Sequence, residues 1–244
     1  MNAKARFNKV ENIIKTIDGW LTRHEARYLY LLAQKGPAHG VIVEIGSWKG
    51  KTTIALAHGS KAVGREQIYA IDHHEGGPDQ EKFGHTEVNT EKEFRHNITM
   101  AGIEESVVPM VMKSNDAVIG WKKPIRLLWI DGDHRYEGVK NDFLMWEPHV
   151  VEGGVIAFHD TFAWDGPRRV VEEYVLRSNR FSILGFVDGI TAVRKVAKLT
   201  PSRKMRNGLL LFIRRLYILG RQHTLPGAIR KYTKHAMRAI ASVR

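Results

Sequence analysis

The chain contains no cysteine. That excludes disulfides, thiolate metal centres and a cysteine nucleophile together. No apolar run approaches the roughly 18 residues that a bilayer-spanning helix requires. Met1 to Lys15 lacks the apolar stretch and small-residue cleavage site of a secretory signal, so the expected compartment is the cytoplasm. There is no internal repeat and no low-complexity tract. The last stretch lacks acidic residues altogether: Lys198 to Arg244 holds twelve Lys or Arg and neither Asp nor Glu. The formal net charge of +12 therefore belongs to the tail, because the first 197 residues carry 26 basic and 26 acidic side chains. A neutral body bears a basic tail, and the tail's anionic partner need not be the body's.

What is present is a chain of ordinary globular make-up. Its 244 residues, 43% hydrophobic and 26% charged, suit one domain with appendages or two small ones. Five short apolar runs, Val41–Ile45, Ile68–Ile71, Val107–Met112, Leu127–Ile130 and Val155–Phe158, have the character of strands covered on both faces. Helix-compatible segments between them begin near Thr52, Glu91, Asn115, Tyr136 and Pro167. This alternation predicts a doubly wound, mostly parallel α/β sheet of Rossmann-like type. Phe181–Val187 and Ile190–Arg194 then flank Asp188-Gly189, a dipeptide suited to a type I′ turn, so the sheet is expected to end in an antiparallel hairpin. Gly19 to Lys35 has helical spacing and predicts a helix over the sheet edge. The resulting organisation is a helical cap at 1–36, an α/β domain at 37–197 and a basic helical tail at 198–244.

The turn after the first strand reads Glu44-Ile45-Gly46-Ser47-Trp48-Lys49-Gly50. A P-loop would need glycine where Ile45 stands, and a dinucleotide fingerprint would need glycine at Trp48. What survives suits a ligand with no phosphate to cradle. Asp72, at the tip of the second strand, can accept hydrogen bonds from both hydroxyls of a ribose. With the glycine turn it points to an adenosine-type ligand at the switch of strand order. Ser114 and Asn115 follow the third strand and read equally as a helix cap or as adenine contacts.

The densest chemistry lies in Asp131-Gly132-Asp133-His134 and His159-Asp160, each following a strand. Adjacent strands would bring Asp131 and Asp160 to one rim, where a hard ion such as Mg²⁺ takes few carboxylates and keeps positions open. His134 would face the same opening as a base. Asp131-Gly132-Asp133 also fits the D-x-D of nucleotide-sugar glycosyltransferases, a short pattern that leaves the glycine turn unexplained.

The block from Asp131 to Thr161 resembles the small bacterial class I S-adenosylmethionine (SAM) methyltransferases of the metal-dependent O-methyltransferase type. The shared pattern runs through Ile130 to His134, Tyr136, Val139, Asp142, Trp146, Pro148, Gly153, Gly154, Ile156, His159 and Asp160. Gly19-Trp20-Leu21 with Glu25, and Glu44-Ile45-Gly46-Ser47, are similar too. The antiparallel ending is characteristic of the same fold. The resemblance implies that Glu44, Gly46, Ser47, Trp48 and Gly50 surround the methionine end of SAM. It places Asp72 on the ribose and Ser114 with Asn115 on the adenine. Asp131, Asp160 and a neighbouring His159 would form the metal site, and His134 with Asp131 the catalytic pair. The implied reaction is methyl transfer to a hydroxyl of a small molecule or sugar, aided by Mg²⁺ or another divalent ion. His73 to Asn89 would form a lid. The rival class is a methyltransferase-like protein without activity that acts through its tail.

In that tail, Asn207 to Gly220 reads as an amphipathic helix, and a second basic helix is expected from Ala228 to Val243, after Pro226-Gly227. It suits an anionic membrane face, at which the chain would be peripheral, or packing on the body or on another subunit of a homo-oligomer. Nucleic acid is disfavoured, since aromatics for base stacking are few.

Overall fold

The computed structural model describes residues 3–77 and 88–222, together with Tyr232 and His235. Its centre is a seven-stranded sheet in the order β3-β2-β1-β4-β5-β7-β6. The strands are β1 (Val41–Ile45), β2 (Ile68–Ile71), β3 (Val107–Met110), β4 (Ile125–Ile130), β5 (Val150–Phe158), β6 (Phe181–Val187) and β7 (Ile190–Lys195). The first five run parallel, while β7 lies antiparallel between β5 and β6. The hairpin predicted from Asp188-Gly189 is present, with Asp188 in the left-handed region at φ 50°.

Strand alternation divides the core into two layers. Ile42, Ile68, Leu127, Trp129 and Ala157 face α1 (Ala3–Ile14), α2 (Arg23–Gln34), α3 (Lys51–Lys61) and α4 (Glu91–Met100). Val43, Ile45, Leu128, Ile130, Ile156 and Phe158 face the opposite way. They meet α6 (Tyr136–Trp146) and α7 (Asp165–Val170), whose last turn widens into a π-type turn at Val171–Leu176. Short α5 (Ser114–Ala117) precedes β4. Each large side chain so buried contributes roughly 1.5–3 kcal/mol.

β3 stops at Met110 rather than Met112 and β7 runs on to Lys195, while two further boundaries differ from the sequence reading for a physical reason. β4 begins at Ile125 because Arg126, a charge within the strand, is buried and paired with Glu66 at 2.6 Å while donating to the Ala33 carbonyl at 2.7 Å. β5 reaches back to Val150 through Gly153, whose φ of +82° accommodates an irregularity in pairing.

The helix expected in the tail is α8 (Pro201–Gln222), longer at both ends than its apolar stretch suggested. It docks on the edge strand β6. Asn207 Oδ1 accepts from the Ile183 amide and its Nδ2 donates to the Phe181 carbonyl, both at 2.9 Å, satisfying strand groups that would otherwise be open to another chain. The second tail helix, and most of the expected lid, fall outside the described residues. No described helix is long and apolar enough to cross a membrane.

Candidate active site

The parallel ladder continues one residue past each strand, and those residues carry the chemistry. Gly46 donates to the Ile71 carbonyl, Asp72 to Met110, Asp131 to Ile45 and His159 to Ile130, at 2.9–3.2 Å. Each is therefore held by the neighbouring strand at the C-terminal rim. Strand order reverses between β1 and β4, which opens a crevice there. The cleft has a volume of about 2280 Å³. Gly46, Ser47, Trp48, Asp72, Ser114, Asn115, Asp131, His134, His159 and Asp160 all line it.

The turn is fixed from below. Asp72 accepts the Trp48 amide at 2.8 Å on one oxygen and the His74 amide at 2.7 Å on the other. Trp48 is thereby kept at φ 47°, a conformation costing about 1–3 kcal/mol that persists only when surroundings impose it. Gly46, at φ 86°, is glycine for a reason the sequence did not reveal: a Cβ there would lie 2.2 Å from the Asp131 carbonyl oxygen. Its smallness serves the packing of two strand ends at the cleft. Ser47 Oγ and Trp48 Nε1 are buried at the cleft wall without a hydrogen-bond partner among the described residues. Buried polar atoms are rarely left so, and these two fit a polar ligand such as the adenosine-type donor.

Two residues expected at the cofactor do not reach the cleft wall. Glu44 is wholly buried beneath the turn, accepting from Thr53 Oγ at 2.6 Å, and burial pushes its carboxyl up to about 8. Strand alternation sends it under the sheet rim, so it braces the turn. Gly50 is the N-cap of α3, and a Cβ there would lie 3.2 Å from the Phe94 ring. Ser114 reaches the cleft, but its hydroxyl donates to Asp142 on α6. Burial raises the Asp142 carboxyl to about 6.

Asp131, His134 and Asp160 present donor atoms all within 4.8 Å of one another, close enough that they could hold a divalent ion. His134 Nε2 is 3.3 Å from Asp160 and 3.9 Å from Asp131, and its ring stacks on Trp164 at 4.7 Å. Burial pulls the His134 pKa down, but hydrogen bonds and charge from the two carboxylates outweigh it and raise it to about 10. The three groups fit an ion, and they also balance one another as ion pairs. Asp160 sits at φ 54°, a second strained position at the rim.

His159, expected among the metal groups, stands behind that triad. Its Nδ1 is 3.0 Å from Asp131 and its Nε2 is 3.4 Å from Glu25. Burial lowers the His159 pKa, yet the facing carboxylates hold it well above the ordinary value. Glu25 is a site residue whose role the sequence analysis missed. It closes the capping box of α2 with Thr22, and accepts the Gly189 amide at 2.7 Å. One buried carboxylate thus ties α2, the hairpin tip and the His159–Asp131 pair. The signal available was the Thr22-x-x-Glu25 spacing, which reads as a cap and conceals the second task.

The far wall comes from the tail. Tyr217 of α8 and Phe162 line the cleft, with ring centroids 5.6 Å apart. Arg214 is 3% exposed, lies over Phe162 at 5.0 Å, pairs with Glu172 at 2.6 Å and donates to the Thr161 carbonyl at 3.2 Å. The loop bearing Asp160 is therefore clamped by α8.

This sheet order, with its antiparallel seventh strand and rim cleft, is the class I SAM methyltransferase fold. Residues 43–161 match the family described as a methyltransferase domain. The structure is similar to the O-methyltransferase TomG of Streptomyces achromogenes in complex with SAM, at TM-score 0.55 and 17% identity over 79% of this chain and 90% of that one. It is similar to a Bacillus cereus O-methyltransferase in complex with SAH, at TM-score 0.54 and 19% identity over 80% and 93%. A third likeness is the SAH-bound Podospora anserina methyltransferase PaMTH1, at TM-score 0.55 and 16% identity over 78% and 87%. At such identities the likeness is one of fold.

Proposed function

We propose that the chain is a SAM-dependent methyltransferase acting on a hydroxyl of a small molecule or sugar, with a divalent ion at Asp131 and Asp160. One observation carries this reading. The Asp72-braced turn and the Asp131/His134/Asp160 cluster open into the same cleft, so a donor and an acceptor hydroxyl would meet. The relatives that hold SAM or SAH support it by fold.

Asp72 would take the ribose hydroxyls, with Asn115 and Ser114 near the base and Ser47 and Trp48 near the methionine end. Bound SAM supplies a sulfonium methyl, and a bound ion lowers the pKa of an oxygen nucleophile. The chain's own task is proton control. His134 keeps its proton while Asp131 and Asp160 pair with it; neutralising those carboxylates lowers its pKa and frees Nε2 to accept a proton. Trp164 holds the ring plane. Phe162, Trp164 and Tyr217 provide an apolar acceptor wall that displaces water.

The test is SAH release over a panel of hydroxylated small molecules and sugars, with added Mg²⁺ or Mn²⁺ and with excess chelator. Turnover abolished by chelator, with SAM binding retained, is the expected result. Full turnover in chelator removes the ion and leaves the proton to His134 and its carboxylates. No turnover and no SAM binding under any condition overturns the reading.

A further inference from the structure

Among the described residues, one face of α8 is left uncovered, and its composition is particular. Met205, Leu209, Phe212, Leu216 and Leu219 are 42–77% exposed. Their spacing of four, three, four and three residues confines them to an arc of about 80° on a helix turning 100° per residue. Asn207, Leu210, Arg214 and Tyr217 occupy the opposite side, buried against the body. The stripe is thus the outward face of a helix that cannot rotate, because Arg214 and Asn207 pin it. Lys204 and Arg215, both exposed, run along one border of the stripe.

We propose that this face is a membrane-docking surface, on which α8 lies in the plane of an anionic lipid bilayer. Charge selects the occupant. The chain has no acidic residue from Lys198 to Arg244, so a second copy of the helix would bring basic borders together with nothing of opposite sign from the tail to pair them. An anionic bilayer offers both components the face calls for: headgroups for Lys204 and Arg215, and an apolar layer for the five side chains. The tail's further basic residues add to the same attraction. Because Tyr217 belongs to the same helix and lines the cleft, docking would set the acceptor end of the cleft beside the lipid surface. The docking claim itself does not depend on methyl transfer.

The test is co-sedimentation of the full-length protein with phosphatidylcholine vesicles, with or without phosphatidylglycerol. Binding to the anionic vesicles only, weakening as salt rises, is expected. The triple substitution Leu209→Gln, Phe212→Gln and Leu216→Gln should lower that binding about tenfold or more, since apolar insertion and charge act together. None of these side chains lines the cleft and all three are exposed, so an unchanged melting temperature confirms that the variant is folded. The proposal is overturned if the wild-type chain ignores anionic vesicles, or if the triple variant binds them equally well. It is also overturned if the wild-type protein sediments as a dimer that the triple variant converts to a monomer while vesicle binding is absent; the face is then a subunit interface.

Discussion

Glu44 shows how burial sets a residue's behaviour independently of its motif. Its carboxyl is pushed from 4.5 up to about 8, chiefly by desolvation, so the folded chain holds a proton that the unfolded chain releases. Stability from this group is complete below pH 4.5, falls as pH rises, and levels above about 8. Glu44→Gln keeps shape without titrating; relative to it, the wild type should lose melting temperature between pH 5 and pH 8. A parallel pair of melting curves over that range would count against the burial argument. His134 offers a second test. His134→Ala should lower turnover while leaving ion affinity within a few-fold if the ring handles the proton. A large loss of affinity would make it a ligand. The carboxylates and imidazoles of this rim were visible as a run of acidic and histidine residues after two strands. The place of His159 behind the Asp131/His134/Asp160 cluster was not. Asp131 is followed three residues on by His134, but only the packed structure turns His159 toward Glu25, 134 positions earlier in the chain.

At the scale of elements, α8 is part of the α/β body in packing terms although its charge sets it apart. Arg214→Ala removes a buried guanidinium that holds Glu172 and the Thr161 carbonyl, and should cost about 2–3 kcal/mol in urea unfolding. Turnover should fall as well, because Thr161 follows Asp160. An Arg214→Ala chain as stable as wild type would show that the clamp is inert. The strands were legible because covered strands in a parallel sheet are short, apolar and β-branched. Where a strand carried a charge, as at Arg126, periodicity hid it, since the pairing that permits burial comes from Glu66, 60 residues away. The place of β7 between β5 and β6 was likewise invisible; Asp188-Gly189 announces a hairpin but not which strand joins the sheet first. The amphipathic character of the tail was readable. That its polar side includes a buried arginine inside the body was not, because sequence does not distinguish a solvated charge from a paired one.

For the whole molecule, the charge divides the chain into a neutral α/β body and a basic margin, while the packing joins them through α8. The cleft draws on every part: α2 through Glu25, the sheet rim, the β6–β7 hairpin and the tail helix. Donor binding should nevertheless localise to the β1–β2 side, where Asp72 braces the turn. Asp72→Asn preserves shape but replaces a carboxylate oxygen by an amide donor facing the backbone amides of Trp48 and His74. Loss of one charged acceptor costs about 1.5–3 kcal/mol, roughly a ten- to hundredfold weakening of SAM. The most direct measurement is therefore calorimetric titration of SAM into the full-length wild-type chain and into Asp72→Asn. A single site in the wild type, weakened ten- to hundredfold in the variant, is the expected result; no SAM binding to the wild type, or equal affinity in both, would contradict it.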